Sequence, residues 1–201
     1  MIDATLLPLV RRALDRPARS LVACGVGADQ ITVLGFLIGV LGVLALWMGL
    51  FWTALVCLAL NRLADGLDGA VARLTQPTDR GAFLDIALDF MFYGLFPLGF
   101  ALLDPATNAL PAAVLICSFV GTGSSFLAFS IIAEKRGILS DAYPTKGIYY
   151  LGGLTEGTET IALFVAMCLF PAAFPWLAFT FAALCGITTL TRWLAGWRML
   201  G

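Results

Sequence analysis

Six apolar runs, near 31–50, 53–73, 82–103, 110–133, 155–171 and 174–193, leave a chain of 201 residues little room for anything but membrane-crossing helices. About 20 apolar residues at 1.5 Å rise each cover the roughly 30 Å hydrocarbon core of a bilayer. No water reaches that core to satisfy the backbone, so each run must close its own hydrogen bonds as a helix. The expected fold is an all-α integral membrane protein, one domain over 1–201 with six transmembrane helices. An N-terminal interfacial helix is expected over about 5–22, where Leu6, Leu7, Leu9, Val10, Leu14 and Leu21 are set against Arg11, Arg12, Arg16 and Arg19. Pro8 and Pro17 are expected to limit its length.

The charges orient the chain. With the N-terminus inside, every Lys and Arg falls on or next to an inner segment except Arg62, which lies within the second run, and the outer loops hold none. Under the positive-inside rule this predicts cytosolic N- and C-termini. No long apolar run precedes Arg11, so no secretory signal is expected, and nothing in the pattern suits a nucleic acid. The five cysteines show no CxxC spacing and read as small core residues. With no histidine in the chain, any metal chemistry falls to carboxylates and hard cations such as Mg²⁺ or Mn²⁺.

Against this apolar background stand four acids. Asp65 and Asp68 are three residues apart in the second run, and with Asn61 and Ala72 form one helical stripe; Asp85 and Asp89 are four apart in the third, on a stripe that begins at Gly81. Only Leu74 to Arg80 joins the two runs, so the helices are antiparallel. Asp68 and Asp85 then lie at one depth, and Asp65 and Asp89 about 12 Å in. Acids are costly inside a membrane, and unit charges 4 Å apart repel by about 4 kcal/mol at an effective dielectric near 20. Such a group takes up divalent ions, which suit phosphoryl transfer, or else is held by salt bridges to Arg62 and Arg73. Gly66 and Gly69 beside the acids allow a nucleotide close to the backbone or tight helix packing, and for Gly35, Gly39 and Gly42 packing is the expectation.

Written out, Asp65-Gly-Leu-Asp68-Gly69-Ala-Val-Ala72-Arg73 followed by Gly81-Ala-Phe-Leu-Asp85-Ile-Ala-Leu-Asp89 resembles the CDP-alcohol phosphatidyltransferase signature, DxxDGxxAR then GxxxDxxxD. Every fixed letter is present, although the seven-residue spacer is shorter than the family's usual one. The resemblance implies a six-helix, usually homodimeric membrane enzyme with a cytosol-facing site. Asp65, Asp68, Asp85 and Asp89 would bind the divalent ions, and Asp89 would also be the general base. Gly69, Ala72, Arg73 and Thr78 would line the CDP portion together with Asp65 and Asp68. Asp29 and Thr32, in a segment similar to the family's Pro-Asn-x-Ile-Thr, would contact the nucleotide, or simply open a helix. The stretches around Gly121 to Ser125 and Tyr149 to Glu159 are similar to a bacterial inner-membrane branch of the family.

The implied reaction moves a phosphatidyl group from CDP-diacylglycerol to a small alcohol with release of CMP; the alternative within the family uses a soluble CDP-alcohol and a lipid acceptor. Ser124, Ser125, Lys146, Glu156 and Glu159 are candidates for the acceptor pocket. The serines equally suit bonding to their own helix, and the glutamates a helix N-terminus or a pairing with Arg136 or Lys146. A non-enzymatic reading, a divalent-cation carrier, requires a path to the outer face, yet beyond Asp89 the third run continues apolar through Phe90, Met91 and Phe92.

Overall fold

A computed structural model of the chain describes residues 2–137 and 153–200; Lys146 lies outside the described residues. These form seven α-helices, α1 (Ile2–Ala23), α2 (Ala28–Trp47), α3 (Phe51–Leu74), α4 (Asp79–Leu103), α5 (Pro105–Lys135), α6 (Gly157–Leu169) and α7 (Phe174–Leu200), with a 3-10 turn at Pro171–Ala173 and no strand among the described residues. Four segments, α2, α4, α5 and Pro171–Leu200, are long and apolar enough to cross a bilayer. α3 is 24 residues long but carries Arg62, Asp65, Asp68 and Arg73, and α6 has only 13 residues, about 20 Å of helix. A count of six crossings requires both of these to cross as well.

Helix ends depart from the hydropathy pattern for local reasons. α2 begins at Ala28 because Gln30 Oε1 accepts from the Gly27 N–H at 3.0 Å. α5 begins five residues ahead of the apolar run at 110, since Asp104 caps it by accepting from Thr107 N at 3.3 Å and Pro105 suits the first turn. α1 runs unbroken through both Pro8 and Pro17, contrary to the expectation of a shortened helix. Leu14 and Ala18 are buried against α3 in a cluster with Ile31, Ala64, Ala70 and Val71, and that burial offsets the hydrogen bond a mid-helix proline cannot donate. The cysteines divide: Cys168 and Cys185 are core residues as expected, whereas Cys24 and Cys117 are exposed.

α2 packs on both α3 and α4 by close backbone approach. A Cβ on Gly35 would lie 2.7 Å from Ala64 Cβ, and one on Gly39 would lie 2.8 Å from the Phe92 ring. This small-residue stripe sets the start of α2, with Asp29 and Thr32, against the acid-bearing stretches of its two neighbours. Past the acids, the same face of α4 continues as Phe92, Phe96 and Phe100. Phe96 stacks on Phe164 of α6 at 4.2 Å and Phe100 on Phe174 of α7 at 4.5 Å, and all five rings are at most 1% exposed. The largest hydrophobic cluster is built around this aromatic column.

Candidate active site

The helical stripe on α3 meets α2 through Asn61 and Asp68 and comes within reach of Asp85 on α4, so three carboxylates meet. One oxygen each from Asp65, Asp68 and Asp85 lies within 4.8 Å of the others. Oxygens bound to Mg²⁺ at about 2.1 Å stand about 3–4.2 Å apart across an octahedron, so a small inward shift suits this donor set to a hard divalent cation. Asp68 is 5% exposed and its Oδ2 accepts a 2.6 Å hydrogen bond from Thr32 Oγ1, so α2 holds this carboxylate in place from the side.

Asp89 lines the same cavity, a space of about 20 Å³, but lies outside the three-acid group. Its Oδ1 accepts from Arg62 Nη2 at 2.8 Å. Arg62 Nη1 also lies 3.7 Å from Asp65. The guanidinium has supports of its own: Nε donates to Asn61 Oδ1 at 2.8 Å, and the group sits 5.4 Å from the Phe92 ring centre and 5.8 Å from that of Tyr93. Asn61, buried, is fixed in turn by donating from Nδ2 to Gly35 O at 2.9 Å. Of the two arginines expected as bridging partners, Arg62 pairs with Asp89 and Asp65, while Asp65, Asp68 and Asp85 stand close enough together to suit an ion.

A larger groove of about 530 Å³ opens beside this cavity, and Thr32, Asp68 and Asp85 line both. Its other walls include Asp29, Gly69, Ala72, Thr78 and Arg80, so most residues of the signature and of the first turns of α2 converge on one space, of a size suited to a small organic ligand. Gly69 keeps the wall low: a Cβ there would lie 3.3 Å from Arg73 Nη1, so the guanidinium of Arg73 reaches back over the glycine. Gly66, by contrast, packs against α1, where a Cβ would lie 2.7 Å from Leu14 Cδ1. Asp29 accepts from Arg80 at 2.8 Å through Nε and 2.6 Å through Nη2, a link from the start of α2 to the start of α4. Thr78 caps α4 by accepting from Gly81 N at 3.0 Å.

The acceptor candidates lie elsewhere. Ser124 Oγ donates to Gly121 O at 3.3 Å and Ser125 Oγ to Thr122 O at 2.9 Å, each within α5. Glu159 accepts from Glu156 N at 3.1 Å and the Glu156 side chain accepts from Glu159 N, a reciprocal cap on α6, while Glu156 also accepts from Gly153 N at 3.1 Å. None of the four lines either cavity. The residue pattern named Arg62 as a bridging cation but not its turn toward Asp89: a cation three residues before Asp65 points to a pairing along α3 and not to one across to α4.

Comparison with known sequences decides the family. The CDP-alcohol phosphatidyltransferase profile matches residues 26–193, a stretch that contains both cavities apart from Gly25 at the rim. The chain belongs to the CDP-alcohol phosphatidyltransferase family. Over its full length it is 52% identical to the inner membrane protein YnjF of Escherichia coli, covering 97% of that protein. It is also 33% identical over 96 residues to an archaetidylinositol phosphate synthase of Pyrococcus horikoshii, 47% of this chain and 51% of that one. Among solved structures, phosphatidylinositol phosphate synthase of Mycobacterium tuberculosis shares the fold. Its complex with manganese and citrate superposes with a TM-score of 0.73 at 24% identity, over 92% of this chain and 88% of that one. Its complex with CDP-DAG gives 0.69, over 92% and 94%. As a CDP-alcohol phosphatidyltransferase the chain is a membrane-embedded transferase of phospholipid synthesis, and its acidic cluster suits a divalent metal.

Proposed function

We propose that this chain transfers a phosphatidyl group from CDP-diacylglycerol to a small alcohol, using Mg²⁺ or Mn²⁺ and releasing CMP. The observation that carries the reading is the shared wall: the three-acid cluster and the signature-lined groove meet at Thr32, Asp68 and Asp85. In this reading the groove holds the nucleotide, with Gly69 and Ala72 admitting it close to α3 and Arg73 offering its guanidinium to phosphate. Asp29 and Thr78 border the same space.

Asp65, Asp68 and Asp85 would hold the divalent ion, which when bound supplies Lewis-acid neutralisation of charge on the pyrophosphate. Asp89 takes the proton of the acceptor hydroxyl. Its Oδ1 is engaged by Arg62, and its Oδ2 makes no hydrogen bond among the described residues, leaving one oxygen for that proton. The alcohol oxygen then forms a bond to the β-phosphorus as the bond from that phosphorus to the CMP oxygen breaks, and CMP leaves as the anion. Thr32 orients Asp68 throughout, and the buried aromatic rings beyond Arg62 exclude water from the far side.

The distribution of Lys and Arg supports cytosolic termini and a cytosol-facing site, and the inner-membrane naming of its 52% identical relative supports that location. Six crossings, with α3 and α6 included, and a homodimer complete the reading. The test uses purified chain in lipid nanodiscs with labelled CDP-diacylglycerol, Mg²⁺ or Mn²⁺ and a panel of alcohols, inositol phosphate first because relatives are named for that chemistry. Metal-dependent CMP release with one alcohol is expected. Failure to release CMP with any of them, or release only from soluble CDP-alcohols, would overturn the donor assignment.

A further inference from the structure

Four carboxylates enter this site, yet they are unequally placed: three share a cluster and the fourth faces an arginine. Besides its pairing with Asp89 and Asp65, Arg62 is held by groups that carry no charge. Asn61 takes its Nε, Gly35 O locks Asn61, and the Phe92 and Tyr93 rings lie under the guanidinium. A Cβ on Gly39 would lie 3.1 Å from Asn61 Nδ2 and 2.8 Å from the Phe92 ring, so α2 closes over the same supports. The guanidinium is therefore seated by the packing of three helices as well as by its charge pairing, and it lies against Asp89 and Asp65 from that seat.

We infer that Arg62 is the second cation of this site, built into the chain: one divalent ion binds Asp65, Asp68 and Asp85, and a guanidinium stands where Asp89 and Asp65 face each other. The inference rests on the metal-dependent reading above. An ion bound to Asp89 at about 2.1 Å would lie within about 5 Å of the guanidinium nitrogen already hydrogen-bonded there. Two such cations repel at that range, and an arginine cannot shed its charge to make room. Arg62 is thus a positioning residue for Asp89, fixing one carboxylate oxygen by a charge-assisted hydrogen bond and leaving the other for the acceptor.

Mn²⁺ binding to the purified full chain in nanodiscs tests this, with the bound ions counted by equilibrium dialysis and their spacing read by electron paramagnetic resonance. The wild type is expected to bind one Mn²⁺ per chain with an uncoupled spectrum, and Arg62→Ala and Arg62→Gln to bind two, with the broadening of neighbouring spins. Arg62→Lys, which keeps the charge, is expected to stay at one. Asp89→Asn is expected to keep the wild-type Mn²⁺ affinity within about threefold, whereas Asp68→Asn loses it by about tenfold or more. Two coupled ions in the wild type, or a tenfold loss in Asp89→Asn, would overturn the inference and leave the metal-dependent reading standing. One ion in Arg62 variants whose helical circular dichroism matches the wild type would do the same. No bound Mn²⁺ in the folded wild type would overturn that reading and this inference together.

Discussion

Thr32→Val removes one hydroxyl from the site and keeps the shape of the side chain. Thr32 Oγ1 has two acceptors within reach, Asp68 Oδ2 at 2.6 Å and Ala28 O at 3.1 Å, but one hydrogen to donate. The shorter contact to a carboxylate takes it, because a charged acceptor makes the stronger bond. Asp68 is 5% exposed, so little water can replace the lost donor. A hydrogen bond to a charged group contributes about 1.5–3 kcal/mol, which is about 13- to 160-fold in an equilibrium or rate constant. Loss of a group that orients a metal ligand costs about 10- to 100-fold in metal affinity or activity, and the two ranges overlap. Thr32→Val is therefore expected to raise the Mn²⁺ concentration for half-maximal CMP release about 10- to 100-fold, with helical content unchanged. Thr32→Ser, which keeps the hydroxyl, is expected to stay close to wild type. Metal titrations of CMP release on the three proteins in parallel measure this. A Thr32→Val curve that overlies wild type, alongside an inactive Asp68→Asn, would refute the claim that α2 positions this carboxylate.

Further outcomes are expected from the packing. Gly35→Ala drives a Cβ to 2.7 Å from Ala64, and overpacking of this kind costs about 1–3 kcal/mol, a drop of several degrees in the thermal unfolding midpoint. Gly94→Ala, where nothing lies within 4 Å, is expected to hold or raise the midpoint, so equal losses in the two variants would refute the close-approach argument. Glu159→Ala should lower the midpoint by removing half of the α6 cap, an effect of about 1 kcal/mol, while Glu159→Gln keeps it, since an amide oxygen also accepts from Glu156 N. Asp29→Ala breaks a pair whose arginine is 79% exposed, so less than about 1 kcal/mol of stability is at stake; a large rise in KM for the CDP donor without a fall in midpoint then reports on nucleotide binding. Chelation by EDTA is expected to abolish CMP release, with recovery on added Mn²⁺ or Mg²⁺.

The carboxylate cluster was legible because three periodic facts determine it: a stripe on each of two helices, and a connection too short for anything but an antiparallel pair. That placed all four acids in one group without knowledge of a single side-chain angle; the structure gathers Asp65, Asp68 and Asp85 and sets Asp89 against Arg62. Arg62 escaped the same logic because its long side chain can follow α3 toward Asp65 or cross toward α4, and the choice is made by Asn61, Phe92 and Tyr93 from outside its own turn. Hydropathy marked the helices but not their ends, since Gln30, Thr78 and Asp104 act through single hydrogen bonds that carry no apolar signal. The two prolines misled for α1 because the burial of Leu14 and Ala18 on a neighbouring helix is invisible within the segment itself. The acceptor candidates drew notice as polar residues in apolar surroundings; Ser124, Ser125, Glu156 and Glu159 each satisfy backbone groups of their own helix, a local demand that polarity alone does not distinguish from ligand binding.

The aromatic column also bears on how a charged catalyst coexists with an energised membrane. Each elementary charge moved across 100 mV releases about 2.3 kcal/mol, so any wetted route from four acids to the far side would drain the cell's ion gradients. Phe92, Phe96 and Phe100, wedged against Phe164 and Phe174, put a dry floor under the site. With the proposed orientation the site is a cup set into one leaflet: it admits ions and water from one face, and the bilayer's insulation stays intact beneath it.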